Sequence, residues 1–161
     1  MKRENKAVIG IPTYLLVIII VTAVITGMLA IGISSLQRNL CRQQVINQIN
    51  TIVNKAEVIS AASYDETVLT FKVTFPKDMK KAVFGALPIN KSENITFYQN
   101  NLTEKSLCVL FDDNHRFIKH SPVRFCDRSG KSYATLSSGS YHLVLEVTQM
   151  NGESYVKIYQ Q

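Results

Sequence analysis

The chain is read as an α+β protein: one long N-terminal helix followed by an antiparallel β-sandwich. Three observations carry that reading. No charged residue occurs from Ala7 to Leu36. Apolar residues then recur at helical intervals to about Ala62, with neither Gly nor Pro to interrupt them. From Thr67 onward the apolar period becomes two, and turn residues divide the remainder into short runs. At 161 residues there is room for one ordinary domain beside the helix. That composition excludes a disordered chain, a collagen-like repeat, a multispan transporter and a disulfide-dense miniprotein, and it argues against a two-domain enzyme.

Residues 1–10 form a short basic leader in which Lys2, Arg3 and Lys6 oppose Glu4. Residues 11–36 are the expected transmembrane helix. The run Tyr14–Ser34 is long enough to cross a hydrocarbon core of about 30 Å at about 1.5 Å per residue. Pro12 stands at its start, where a missing amide donor costs little. Basic residues precede the span, and Arg38 and Arg42 follow it, so the bias places the N-terminus in the cytoplasm and the bulk of the chain outside. Ala30-Ile31-Gly32 has the small-x-small form of a signal-peptide site, which leaves a product secreted after cutting at Gly32 as a third, minor alternative.

Within the span, Ala23, Thr26, Gly27, Ala30 and Ser34 fall at i, i+3, i+4, i+7 and i+11. All five share one helical face, and a face of small residues lets a second helix approach closely in lipid. Spans are rich in small residues for other reasons too, so the face is a candidate packing surface.

Residues 37–63 continue the helix in amphipathic form. Leu36, Leu40, Val45, Ile49, Ile52, Ala56 and Ile59 make a stripe, widened by Ile46 and Val53, while Asn47, Gln48, Asn50, Asn54, Lys55 and Glu57 fill the other face. Residues 64–161 are the β domain. Leu69, Phe71, Val73 and Phe75 alternate with polar residues, and Pro76 closes that strand. Shorter strands are expected at Ala82–Phe84, Ile95–Tyr98, Leu107–Phe111, Arg116–Lys119 and Tyr133–Leu136. Tyr141–Thr148 alternates cleanly, Asn151-Gly152 supplies a type I′ turn, and Tyr155–Tyr159 returns. Seven or so short strands make a sandwich, and the run Leu136–Val147, with a Tyr after a turn Gly, resembles a strand start common in immunoglobulin-like sandwiches.

The basic leader before Gly10, the long apolar helix, its amphipathic continuation and the β domain with Val73-Thr-Phe-Pro-Lys-Asp-Met-Lys-Lys-Ala-Val-Phe-Gly85 together resemble the archaeal type IV pilin-like and archaellum-associated membrane proteins. The resemblance covers nearly the whole chain in architecture. It implies a subunit held in the membrane lipid by its helix, processed by a prepilin-type peptidase between Gly10 and Ile11, and assembled with other pilin-like subunits through helix packing. Ile9 stands before Gly10 where that family has a charge, and Leu15 occupies the fifth mature position where Glu is frequent. These departures fit a minor or uncleaved relative better than a main filament protein. A permanently anchored β-sandwich module that recognises an envelope protein or glycan is the alternative.

Among candidate chemical sites, Cys108 and Cys126 either close a loop outside the cell, at a typical gain of about 3 kcal/mol, or are two buried thiols. Cys41 is the odd one. Three Asn-x-Ser/Thr sequons, at Asn90, Asn94 and Asn101, lie within 14 residues and are candidate glycosylation sites in an exported domain. His115, His120 and His142 lack zinc-ligand spacing. Asp112-Asp113-Asn114-His115 reads as a polar turn rather than a cation loop. No phosphate loop or catalytic triad motif is recognisable, so the expectation is a protein that is not an enzyme and carries no cofactor or metal. The net charge of +6 is spread without a dense basic run or aromatic interleaving, so no nucleic acid partner is expected.

Overall fold

The computed structural model describes residues 5–62, 67–89 and 95–161. It divides into two compact units, Met1–Leu40 and Cys41–Gln161. Helix α1, Asn5–Ala61, supplies residues to both.

In the first unit every side chain from Thr13 to Leu40 is exposed. The aliphatic residues are no exception, Ile31 being 74% exposed and Leu29 61%. Among the described residues α1 is the one helix long and apolar enough to cross a membrane. Leu36 and Leu40, expected as the first members of the amphipathic stripe, are 63% and 70% exposed and belong to this unit. Burial of the stripe begins one turn later, at Val45.

In the second unit α1 buries Val45, Ile49, Ile52, Val53, Ala56 and Ile59, none more than 7% exposed. Spacings of three and four residues place them on one side, and each fully buried aliphatic chain contributes about 1.5–3 kcal/mol of transfer free energy. They join one core with side chains from two four-stranded sheets. The first sheet runs in the order β1-β9-β10-β7, with β1 Val68–Phe75, β9 Gly139–Met150, β10 Glu153–Gln160 and β7 Arg124–Cys126. The second runs β6-β5-β2-β8, with β6 Arg116–His120, β5 Ser106–Phe111, β2 Met79–Phe84 and β8 Ala134–Leu136. A two-stranded piece pairs β3 Leu87–Pro88 with β4 Phe97–Tyr98. Phe97 lies against Lys81 and the Tyr133 ring, 5.5 Å and 5.7 Å away.

Alternation decides which residues enter the core. On β5, Leu107, Val109 and Phe111 point inward, as do Leu143, Leu145 and Val147 on β9 and Val156 and Ile158 on β10. The α+β class therefore holds, and the sheets are antiparallel apart from β7, which pairs parallel to β10 through Tyr155↔Arg124 and Lys157↔Cys126. Strands β3 and β7 were not expected. Both are two or three residues long, and Pro88 and Pro122 sit in or beside them, where a missing amide donor hides a strand signal.

Three local features fix the arrangement. Asn151 and Gly152 both have positive φ, 55° and 79°, as a type I′ turn demands, and set the register Met150↔Glu153. Gly85, at φ 91°, donates its N–H to Ser106 O and has no room for a side chain: a Cβ there would meet the Phe125 carbonyl oxygen at 2.4 Å. The backbone after β2 thus runs directly against β7 of the other sheet. Tyr141 Oη donates to Ser137 O at 3.1 Å, four residues upstream, a corner compatible with an immunoglobulin-like sandwich.

Candidate functional site

Ala23, Thr26, Gly27, Ala30 and Ser34 all lie on α1 and all are exposed. The two hydroxyls of this face are satisfied within the helix: Thr26 Oγ1 donates to Thr22 O at 2.8 Å and Ser34 Oγ to Ala30 O at 3.0 Å. Such back-bonding removes the cost of carrying hydroxyls into lipid. A Cβ at Gly27 would meet nothing within 4 Å, and the same is true of Gly32. The chain's own packing therefore does not explain the glycine. Gly10 and Ile11, the candidate processing site, lie in the early turns of α1, and their side-chain surroundings fall outside the described residues.

The second unit carries two charged clusters on the outward face of the β1-β9-β10-β7 sheet. Glu146 on β9 accepts from Lys157 Nζ at 2.7 Å and from Tyr159 Oη at 2.9 Å, both on β10. The Lys157 hydrogen bond, reinforced by Tyr159 and opposed by partial burial, holds the Glu146 carboxyl below the usual carboxylate range. Lys157 is held above its ordinary value by the same pair. Beside them Arg124 on β7 bridges Glu104, at 2.8 Å, and Glu153, at 2.6 Å, while Tyr155 Oη donates to Glu104 at 2.8 Å. Each carboxylate here is matched by a cation or a hydroxyl, so the clusters fasten strands together and offer no poised acid or base.

These clusters were missed in the sequence. The Glu146–Lys157 pair had a signal: once Asn151-Gly152 is the turn, counting outward puts Glu146 opposite Lys157. Arg124 had none, because its strand pairs parallel to β10 from a distant part of the chain.

Cys108 and Cys126 are both free and buried, and Cys41 is free and half-buried. Cys108 alternates with the inward Leu107 and Val109 on β5, and Cys126 follows the inward Phe125 on β7. Each thiol therefore occupies the outward side of a different sheet, with the core between them. The structure has two buried thiols in place of a Cys108–Cys126 disulfide, the second of the two arrangements the sequence left open. Burial pushes the Cys108 thiol up to about 11 and that of Cys126 to about 12.

Of the three sequons, Asn90 and Asn94 lie outside the described residues. Asn101 is exposed in a turn before a 3-10 turn at Thr103–Lys105. The Asp112–His115 segment is a turn in which Asn114 has φ 62° and Asp113 pairs with Arg42 of α1. His120 Nδ1 is 2.8 Å from Ser106 Oγ, the His115 ring is tilted against Phe111 with centroids 6.0 Å apart, and His142 lies on β9, so the histidines are dispersed. Among the described residues no three His, Cys, Asp or Glu side chains converge to hold a metal ion. No family model matches the chain, and no curated protein or solved structure matches it.

Proposed function

We propose that this chain is a structural or accessory subunit of an archaeal, type IV pilus-like surface filament. In this reading the N-terminus is cytoplasmic, α1 crosses the membrane once, and the β domain stands outside the cell or on the filament surface. The observation that carries the reading is the uninterrupted exposure of α1 from Thr13 to Leu40. A helix without a charge from Ala7 to Leu36, and uncovered among the described residues, requires lipid or neighbouring helices, and a pilin-like subunit uses both in turn. Lipid holds the subunit before assembly. Other pilin-like subunits then pack against the Ala23, Thr26, Gly27, Ala30 and Ser34 face, while the β domain forms the outer surface. The work in this reading is mechanical rather than catalytic.

The departures at Ile9 and Leu15 favour a second reading, a permanently anchored module that binds an envelope protein or glycan through its loops. Two measurements separate the readings. The mature N-terminus from native membranes should be Ile11 after prepilin-type processing, and Met1 for a fixed anchor. Gly27→Leu together with Ala30→Leu should abolish crosslinked multimers while leaving the monomer in the membrane. An unchanged ladder of crosslinked species would remove the assembly reading.

A further inference from the structure

The tripeptide Asn101-Leu102-Thr103 has the acceptor form for N-linked glycan transfer, yet the fold treats its two necessary groups differently. Asn101 is exposed. Thr103 is buried, and its hydroxyl is engaged: Oγ1 accepts from the Asn100 N–H at 2.8 Å and donates toward the carbonyl oxygens of Tyr98 and Asn100, each at 3.2 Å. Asn100 Oδ1 in turn accepts the N–H groups of Leu102, at 3.1 Å, and Thr103, at 2.8 Å, while the Asn101 carbonyl accepts from Arg124 at 3.3 Å. The backbone of the tripeptide is therefore held in a tight turn.

A second set of contacts fastens that turn to the end of the chain. Glu104, the next residue, accepts from Arg124 on β7 and from Tyr155 on β10, and Arg124 also holds Glu153 on β10. The bonds to the Thr103 hydroxyl lie within residues 98–103, but their fastening through Glu104 exists only after residues 153–155 have been made and β10 has docked.

Glycan transfer needs the opposite arrangement. Asn101 Nδ2 must attack the anomeric carbon of a sugar carried on a lipid phosphate. A carbon–nitrogen bond forms, the bond from that carbon to the phosphate oxygen breaks, the phosphate leaves with the electron pair, and the amide loses one proton. The hydroxyl two residues on is part of what the transferase recognises, so it must be free and the tripeptide must be open.

We propose that Asn101 is a folding-gated glycan acceptor, open while the chain beyond Thr103 is being made and exported, and closed once β10 docks against β7 and the Thr103–Lys105 turn. About fifty residues separate the acceptor from Glu153. At synthesis rates of about 5–20 residues per second, the open interval lasts roughly 3–10 s. The inference goes beyond the filament reading and relies on it only for the external placement of the β domain.

The test needs no assumption about placement. Full-length protein from a host without N-glycosylation is purified in detergent and incubated with an oligosaccharyltransferase and its lipid-linked oligosaccharide. A peptide of residues 96–106, which contains this sequon alone, is treated in parallel, and occupancy is read by mass spectrometry. The peptide should be modified, and Asn101 in the folded chain at least about tenfold more slowly. Asn100→Ala and Tyr155→Phe should each raise the rate in the full chain, the second with little disturbance because the ring is kept. Modification of the folded chain at the peptide's rate would overturn the proposal. So would a refractory peptide, since the tripeptide rather than the fold would then be at fault, and so would a rate unmoved by both variants.

Discussion

Two stretches of α1 contain much the same aliphatic side chains and meet opposite fates. Between Tyr14 and Ile33, Leu, Ile and Val occupy every side of the helix and all are exposed. Between Val45 and Ile59 the same residue types gather mainly on one side, where Val45, Ile49, Ile52, Val53 and Ile59 are buried against two sheets. Val58, on the other side, is 70% exposed and shows that position rather than residue type decides. Hydrophobicity alone therefore says little about the surroundings of a helix. Its distribution around the axis separates a stretch that needs a continuous apolar medium from one that needs a single packed partner.

The sharpest way to break this comparison is to truncate one isoleucine in each stretch. Ile52→Ala should lower the stability of the β domain by about 2–5 kcal/mol, because it leaves a cavity in a core where Ile52 has no exposure. Ile19→Ala should change it by less than about 0.5 kcal/mol. Denaturant unfolding in detergent, followed by near-ultraviolet circular dichroism, reads both, and equal losses would contradict the division.

Cysteine accessibility follows the same division at finer scale. Cys41 is half-buried at the first position of the second unit, whereas Cys108 and Cys126 are buried with thiols raised to about 11 and about 12. At pH 8 both buried thiols stay protonated, and access to them is closed as well. Iodoacetamide should label Cys41 at least about a hundredfold faster than either of the others, with all three reacting alike in urea. Rapid labelling of Cys126 in the native protein would argue against the placement of β7.

The smallest effect expected is a pH dependence confined to the β domain, since no charged residue occurs between Ala7 and Leu36. Glu146 has its folded pKa below the unfolded value of about 4.3, so its contribution is complete above that pH and is lost as pH falls through the folded value. Lys157 is raised above about 10.4, so its contribution is complete below that pH and is lost as pH rises through the folded value. Glu146→Gln should therefore cost about 1 kcal/mol at pH 7, and the gap to the unaltered protein should narrow on going to pH 3. A gap of the same size at both pH values would show that the pair does not act through charge.

Much of the fold was legible because period and punctuation are local properties. The change from all-round to one-sided apolarity near Leu36, the alternation of Leu69–Phe75, and the Asn151-Gly152 turn each announce an element within a dozen residues. The helix ends at Ala61, close to its expected end, and the C-terminal hairpin needed only lengthening at its ends. What was hidden depended on distant partners. Strand β7 exists because β10 lies beside it, and nothing in Arg124-Phe125-Cys126 alone requires a strand. The cysteines illustrate the same limit: their separation in the chain permits a disulfide, and only alternation on two different sheets turns them away from each other. The small-residue face was legible as a pattern, and the structure adds its exposure and the hydroxyls of Thr26 and Ser34 bonded back into the helix.

Gly85 has a consequence for inheritance. Its backbone conformation and the 2.4 Å clearance to Phe125 O leave space for hydrogen alone. Every missense change from a glycine codon introduces a Cβ, so the genetic code offers this position no mild alternative. Ala, Ser and Arg would all separate β2 from β7 before their chemistry mattered. In a saturation library scored for folded protein, codon 85 should show a uniform row of losses, whereas Gly27, with open space about it in the chain, should vary with the size of the substituent.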